Sequence, residues 1–170
     1  MNASNLSIGD CICLIMDDRT IKSKTYSKDY VKVTAIDNDK NIITVTKDKS
    51  QLNLNCNLCG DAIKPIPVNE STLNDIGYKL VFKEHLYGIA GITVYEKSIS
   101  LENGTFFEIH ITETANGYVC ILSKPEAMLG CEYIPVPYIH NLQNLIAKRY
   151  NWQYPIDPKV FTSKKDETDK

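Results

Sequence analysis

Four cysteines are the first residues whose spacing could do chemistry. One residue separates Cys11 from Cys13, and two residues separate Cys56 from Cys59. Four thiolates at such short spacings are typical of a structural zinc site. Buried cysteines are also ordinary small apolar residues, and Cys11 with Cys13 makes a poor half-site. We therefore predict no metal and no cofactor, with a zinc site at Cys11, Cys13, Cys56 and Cys59 as the alternative.

Glu108 and His110 are the residues whose pairing could support acid–base chemistry. They lie two positions apart in a predicted strand over residues 105–112, so their side chains share one face. A carboxylate beside an imidazole can transfer protons, although many such pairs are structural. The spacing of His85, His110 and His140 does not argue for a shared metal site. An enzyme using Glu108 and His110 is our alternative, and a non-enzymatic protein is our prediction.

The segment before the last predicted helix could bind a nucleotide. Pro135 and Pro137 constrain the approach to a helix over residues 141–150, with His140 at its N-cap. Free N–H groups at a helix start attract phosphate, and an aromatic ring can stack on a base. We predict a ligand site made of Tyr138, His140, Asn141 and Trp152. The alternative places Tyr138 in the core and lets His140 cap the helix.

Charge and composition limit the partners. The chain has 170 residues, a formal net charge of −2 and a hydrophobic fraction of 43%. Acidic residues flank or interrupt its best basic run, so nucleic acid ranks below other partners; that run consists of Lys22, Lys24, Lys28 and Lys32. No apolar run approaches the roughly 20 residues of a membrane helix, and no signal peptide is evident. We predict a cytoplasmic protein with reduced cysteines and no membrane partner.

The first part of the chain is predicted to be an SH3-like small β-barrel. Short apolar alternations recur between turn-forming residues, as in a β-meander. The predicted strands cover residues 11–16, 30–36, 42–46 and 51–56, with a polar loop over residues 17–29. We place this module at residues 1–67.

A connector helix is predicted to follow, with both of its ends specified by local sequence. Asn69 suits the N-cap position, and Val68 can pack on Leu73 as a hydrophobic staple. Gly77 can adopt the left-handed conformation that ends a helix, and Tyr78 can then pack back on Leu73.

The rest of the chain predicts an antiparallel sheet followed by a helix. Asn-Gly pairs at positions 103–104 and 116–117 are strong hairpin signals. Two-residue loops there would place Phe107 opposite Ser100, and Ile111 opposite Leu122. Because both sheet faces contain apolar residues, we expect the C-terminal helix to pack on one of them. The predicted class is α+β, with an α+β domain at residues 68–160 and a disordered charged tail at residues 161–170.

Two motifs resemble a known family. One is Lys64-Pro-Ile-Pro-Val-Asn-Glu70, followed by Leu73 and Gly77-Tyr78, and the other is Tyr138-Ile-His-Asn-Leu-Gln-Asn-Leu145. In order and spacing they are similar to motifs of uncharacterised small proteins from phages and mobile elements of Bacteroidetes-type bacteria. The resemblance spans residues 6–154. It implies a mobile-element origin but no activity, and the chain departs from the family after Lys148.

We therefore expect a non-enzymatic accessory binding protein of a phage or mobile element. Its partner would be a nucleotide-type small molecule or a host protein. Sequestering a nucleotide-type immune signal, or blocking the host protein, would serve counter-defence. The alternatives are an SH3-like nucleic-acid-binding module and the enzyme described above. The sequence leaves open whether the protein forms a homo-oligomer.

Overall fold

The computed structural model describes most of the chain. The described residues are 2–17, 26–47, 49–59, 61–84, 92–100, 104, 106–123 and 131–162. Contacts divide the chain into two units, one formed by residues 1–66 and 138–170, the other by residues 67–137. This division assigns residues 138–160 to the first unit, whereas the sequence analysis placed them in the second domain, at residues 68–160. Residues 163–170 of the predicted tail lie outside the described residues.

The first unit contains a five-stranded antiparallel sheet. Its strands are β1 (Cys11–Asp17), β2 (Tyr26–Asp37), β3 (Ile42–Lys47), β4 (Ser50–Asn55) and β5 (Ile63–Pro65), in the order β4-β3-β2-β1-β5. β2 begins within the predicted loop, and the short strand β5 was not predicted. Among the described residues, β4 and β5 are the edge strands and do not pair with each other. The structure therefore shows an α+β protein with an open sheet, and the described strands do not close into a barrel.

Alternate residues of this sheet form the core of the first unit. Because side chains alternate between faces along a strand, Ile12 and Leu14 of β1 face the same side as one another. They join a buried cluster that also contains Ala3, Leu6, Val31, Val33, Ile43, Val45, Cys56 and Ile63. Leu54 packs against the cluster, whereas Leu52 of the same strand is 40% exposed. Two 3-10 helices flank the unit, at Ala3–Asn5 and Pro158–Phe161.

The second helix of the chain, which we call α2 (Ile139–Tyr150), is tied to β1 by one buried glutamine. The Gln143 side chain accepts a hydrogen bond from Cys11 N at 3.0 Å. It donates to Gly9 O and to Tyr154 O, both at 3.2 Å. These bonds satisfy both ends of the buried amide, so they hold α2 against β1 within the first unit. Asn151 ends the helix in the left-handed conformation, with φ 48°.

The first helix, α1 (Glu70–Asp75), begins and ends where the sequence predicts. Asn69 Oδ1 accepts from Thr72 N, and Thr72 Oγ1 accepts from Asn69 N, both at 2.9 Å. At the other end Gly77 has φ +88°. Tyr78 N donates to Leu73 O, and Gly77 N donates to Asn74 O, the two bonds of a Schellman motif. Among the described residues, no helix combines the length and apolar character that crossing a bilayer requires.

The second unit contains another five-stranded antiparallel sheet, and it is the predicted meander. Its strands are β6 (Lys79–Glu84), β7 (Ile92–Ser100), β8 (Phe106–Thr114), β9 (Gly117–Ser123) and β10 (Cys131–Pro135). They follow the order β10-β9-β8-β7-β6. β10 was not predicted because Pro135 discourages a strand, but Pro135 ends an edge strand, where a missing N–H is tolerated.

The predicted strand register was wrong in both hairpins. Phe107 lies opposite Ile99, one residue away from the predicted Ser100. Ile111 lies opposite Cys120, two residues away from the predicted Leu122. In the second hairpin the two-residue loop is Ala115–Asn116, because Gly117, with φ +107°, is already the first residue of β9. A register shift of one residue moves every side chain of one strand to the opposite face relative to its partner strand. It therefore changes which polar groups lie next to each other.

Candidate functional site

A cavity at the start of α2 gathers most of the predicted ligand residues. We call it the α2 cavity; its volume is about 580 Å³. It is lined by Asn5, Asp61, Ile63, Lys64, Pro65, Tyr138, His140 and Asn141. Three of the four predicted ligand residues are therefore together. The fourth, Trp152, is not among the lining residues, and its ring lies 5.8 Å from that of Tyr154.

Strand β5 brings Ile63, Lys64 and Pro65 to this place. β5 pairs with β1, with Cys13 opposite Lys64 and Ile12 opposite Pro65. Just after β5, Ile66 O accepts a hydrogen bond of 2.9 Å from Ile139 N, the first residue of α2. The sequence missed these lining residues because it did not predict β5.

His140 is a buried member of the helix rather than its N-cap. The N-cap is Tyr138, which has extended backbone and makes no side-chain capping hydrogen bond. His140 is the second helical residue and is 5% exposed. Burial lowers the pKa of His140 below its ordinary value, so its imidazole stays neutral at neutral pH. Among the described residues its Nδ1 has no hydrogen-bond partner.

The Tyr138 ring lies on the imidazole of His140. The two ring centroids are 5.6 Å apart and the planes differ by 9°, which is a stacked arrangement. Tyr138 nevertheless remains 38% exposed. It is therefore an aromatic surface at the mouth of a polar cavity, on which a planar group could stack.

The helix start also has unused hydrogen-bonding groups. Ile139 N donates to Ile66 O, and Asn141 N donates to Tyr138 O. The structure shows no acceptor for the His140 backbone N–H within the described part of the chain. Asn141 Oδ1 is buried there without a partner as well. A helix start with a free N–H attracts an anion, and Lys64 adds a positive charge to the same lining.

A second polar cluster lies on the second sheet. Glu96, Glu108 and His110 place their ligand atoms within 4.8 Å of one another. His110 Nε2 is 3.2 Å from Glu96 Oε2 and 3.7 Å from Glu108 Oε2. We call these residues the Glu–Glu–His cluster. The sequence found Glu108 and His110 but missed Glu96, since its register placed Lys97 opposite His110. Acid–base work by the pair stays a prediction.

The structure does not gather the cysteines into a metal site within its described residues. The only described group of three or more potential ligands is the Glu–Glu–His cluster. Cys11 and Cys13 are buried in β1, and Cys11 Sγ donates to Ile156 O at 3.5 Å. Burial raises the pKa of the Cys11 thiol to about 12, which disfavours a thiolate ligand. His85 lies outside the described residues, so a three-histidine site is not tested.

A groove on the first sheet carries several lysines. Its volume is about 740 Å³, and its lining includes Lys32, Lys47, Lys49 and Lys159. We call it the lysine groove. Of the predicted basic run, only Lys32 is there; Lys28 is exposed elsewhere on β2, and residues 22 and 24 lie outside the described chain. Within the groove, Lys47 is paired with Asp29.

Comparisons with known proteins leave the function to be argued from this geometry. No protein-family model matches the chain, and neither the curated proteins nor the solved structures include a match.

Proposed function

We propose that this protein is a non-enzymatic accessory protein of a phage or mobile element that binds a nucleotide-type small molecule in the α2 cavity. The observation that carries the proposal is the buried Nδ1 of His140, which has no partner among the described residues, at a helix start with no side-chain cap. Buried polar atoms normally have partners, and an exception needs an explanation. A bound ligand would supply the partner.

The chemistry of the lining matches the parts of a nucleotide. A phosphate can accept from the His140 backbone N–H and pair with Lys64. A base can stack on Tyr138, which is 38% exposed. Asn141 Oδ1 can accept from an exocyclic amino group of that base. The volume of about 580 Å³ lies within the range of roughly 300–1,000 Å³ that is usual for small-molecule sites.

Sequestration is the role that fits such a site in a mobile-element protein. A protein that holds an immune signal lowers its free concentration by mass action, without turning it over. Rigid residues favour tight binding because less freedom is lost on association. Pro65 lines the cavity, and Pro137 directly precedes Tyr138. Both restrict the backbone there.

Calorimetry with the full chain tests this function. A panel of cyclic and ADP-ribose-type nucleotides would be titrated into wild type, Tyr138→Ala and His140→Ala. Tyr133→Ala is the matched control, since that tyrosine is 63% exposed and does not line the cavity. We expect tight binding of at least one nucleotide with no product formed. Binding should be lost in the two cavity variants and kept in the control.

Two results would reject the proposal. One is that no member of the panel binds. If a pull-down with the full chain then captures a host protein, the function would instead be to block that protein. The other is equal binding by all three variants, which would place the ligand elsewhere. Thermal unfolding of His140→Ala shows whether that variant is folded, so that lost binding is not confused with lost folding. If His140→Ala is unfolded, the binding measured with Tyr138→Ala decides whether the ligand occupies the α2 cavity.

Nucleic-acid binding is the second candidate, because the lysine groove brings four lysines together. SH3-like closure of the first sheet belongs to this candidate and stays a prediction. The test is binding of duplex and single-stranded DNA at increasing salt, with Lys49→Glu and Lys159→Glu. Affinity that falls with salt and is lost in both variants would favour it. Asp157 and Asp29 in the same lining weigh against it.

A further inference from the structure

The Glu–Glu–His cluster is built by strand register. Glu96 of β7 lies directly opposite His110 of β8. Glu108 lies two residues before His110 on the same strand, so it shares that face. Side chains at directly opposite positions have Cβ atoms about 4.5–5.5 Å apart, close enough for their end groups to meet. Three potential ligands therefore converge because the backbone places them.

We propose that Glu96, Glu108 and His110 bind a divalent transition-metal ion of the Zn²⁺ type. Zinc is bound by histidine nitrogen and by glutamate oxygen at about 2.0–2.2 Å in a tetrahedral arrangement. Two ligand atoms of such a tetrahedron are about 3.3–3.4 Å apart. The distances from His110 Nε2 to the two carboxylates, 3.2 and 3.7 Å, bracket that separation.

A hydrogen bond from His110 to a carboxylate explains the cluster less well than a bound ion does. An imidazole that carries a hydrogen on Nε2 would donate it to one of the carboxylates. Both contacts have ion-pair distances, yet Nε2 is buried and has no hydrogen-bond partner by geometry in the described part of the chain. Neither oxygen thus lies where the N–H bond would direct the proton. An ion at the common centre would be reached by all three ligand atoms.

The surroundings suit a three-ligand ion with open positions. Glu108 is exposed, and Glu96 and His110 are partly exposed, so water can complete the coordination. On the opposite face, the neighbouring Ile109 and Ile111 are fully buried, which holds β8 in place. The nearest competing cation by register is Lys79 of β6, which lies opposite Glu96. No described ion pair within 4.0 Å joins Lys79 to Glu96.

The test is a titration of the metal-stripped, fully reduced full chain with Zn²⁺ and with Co²⁺. Calorimetry gives the number of ions bound per chain. The Co²⁺ absorption spectrum shows whether any of the chain's six cysteines binds the ion. Thiolate ligands add a strong charge-transfer band that nitrogen and oxygen ligands do not give. The variants are Glu96→Gln, Glu108→Gln and His110→Gln. Glu113→Gln is the control, since it changes an exposed glutamate of the same strand on the other face.

We expect one ion per chain, without a thiolate band. Each of the three variants should weaken binding by more than about tenfold, because loss of even an outer partner of a ligand costs roughly 10–100-fold. The control should bind as wild type does. Binding that is unchanged in Glu96→Gln and Glu108→Gln, binding with a thiolate band alone, or no binding at one equivalent would each overturn the proposal. If His110→Gln does not fold, the test rests on Glu108→Gln, because Glu108 is exposed and its substitution should leave the fold intact.

Discussion

His140 and His110 are the same side chain in two contrasting regions. His140 is 5% exposed at the start of α2, stacked under an aromatic ring, and among the described residues its Nδ1 has no hydrogen-bond partner. His110 is partly exposed on a sheet face, with a carboxylate oxygen at 3.2 Å and another at 3.7 Å. Burial in the first setting lowers the pKa of the imidazole, whereas the second setting places two carboxylate oxygens beside it.

If both proposals hold, the surroundings of each histidine select the kind of ligand. At the α2 cavity a neutral ring, an N–H with no acceptor among the described residues, and Lys64 favour a ligand with negative charge. At the Glu–Glu–His cluster two carboxylates favour a cation. A histidine in the sequence by itself predicts neither an anionic nor a cationic ligand, since the difference comes from residues contributed by other strands and helices. The following variants break or sharpen this comparison.

The largest effect should come from the isoleucine beside each histidine. Ile111 and Ile139 are both 0% exposed. Ile111→Ala and Ile139→Ala should each lower the free energy of unfolding by about 2–5 kcal/mol, because each removes buried methyl groups and leaves a cavity. Denaturant unfolding measures this. Leu58→Ala, at an 85% exposed position, is the control and should change stability by less than about 0.5 kcal/mol. Similar small losses in all three would mean that neither histidine is held by its buried neighbour.

Asp10, a buried carboxylate of the first unit, should make the stability of the protein depend on pH. Burial is the main cause that raises the pKa of Asp10 to about 6, against hydrogen bonds from Ser7 N and Asn144. The unfolded chain then loses this proton near pH 4 while the folded chain keeps it, so stability falls as pH rises to about 6.

Asp10→Asn should remove that part of the pH dependence. Relative to wild type, the variant should gain up to about 3 kcal/mol of stability between pH 4 and pH 7, given the pKa of about 6 against 3.8. Urea unfolding at several pH values measures the difference. Asp39→Asn, at an exposed position, is the control. A difference between Asp10→Asn and wild type that is constant with pH would show that Asp10 is ionised throughout.

A smaller effect tests the contrast between the two helix starts. Asn69→Ala removes the side-chain acceptor of Thr72 N at the start of α1. The expected loss of stability is about 1 kcal/mol, the usual value for an N-cap. Asn74→Ala, at an exposed position of the same helix, should be nearly neutral. Thermal or denaturant unfolding that ranks Asn74→Ala as the more destabilising would contradict this account of α1.

The smallest effect is a gain. The start of α2 has no side-chain cap, so Tyr138→Asp would provide an acceptor for a free N–H there. We expect stability to rise by about 0.5 kcal/mol while nucleotide binding in the α2 cavity is lost, a trade of function for stability. Tyr138→Ala should lose binding without the gain. If Tyr138→Asp binds as tightly as wild type, the free N–H and the ring do not contact the ligand.

The sequence by itself determined the features that depend on neighbouring residues. Asn69 and Gly77 specify both ends of α1, and Asn151 ends α2, because a cap needs only a few residues within one or two helical turns. The Asn-Gly pairs indicated the meander for the same reason. Tyr138, His140 and Asn141 were predicted together because they follow constrained residues near a helix start, and they line one cavity.

Only the tertiary structure decided which distant residues meet. Glu96 lies opposite His110 because of a strand register that a one-residue difference would change, and the loop composition did not specify that register. Likewise, β5 brings Lys64 to Tyr138 through pairing with β1, a contact between residues far apart in sequence. Such pairings depend on how the whole chain closes, since many alternatives satisfy the same local preferences and only the packed core distinguishes them.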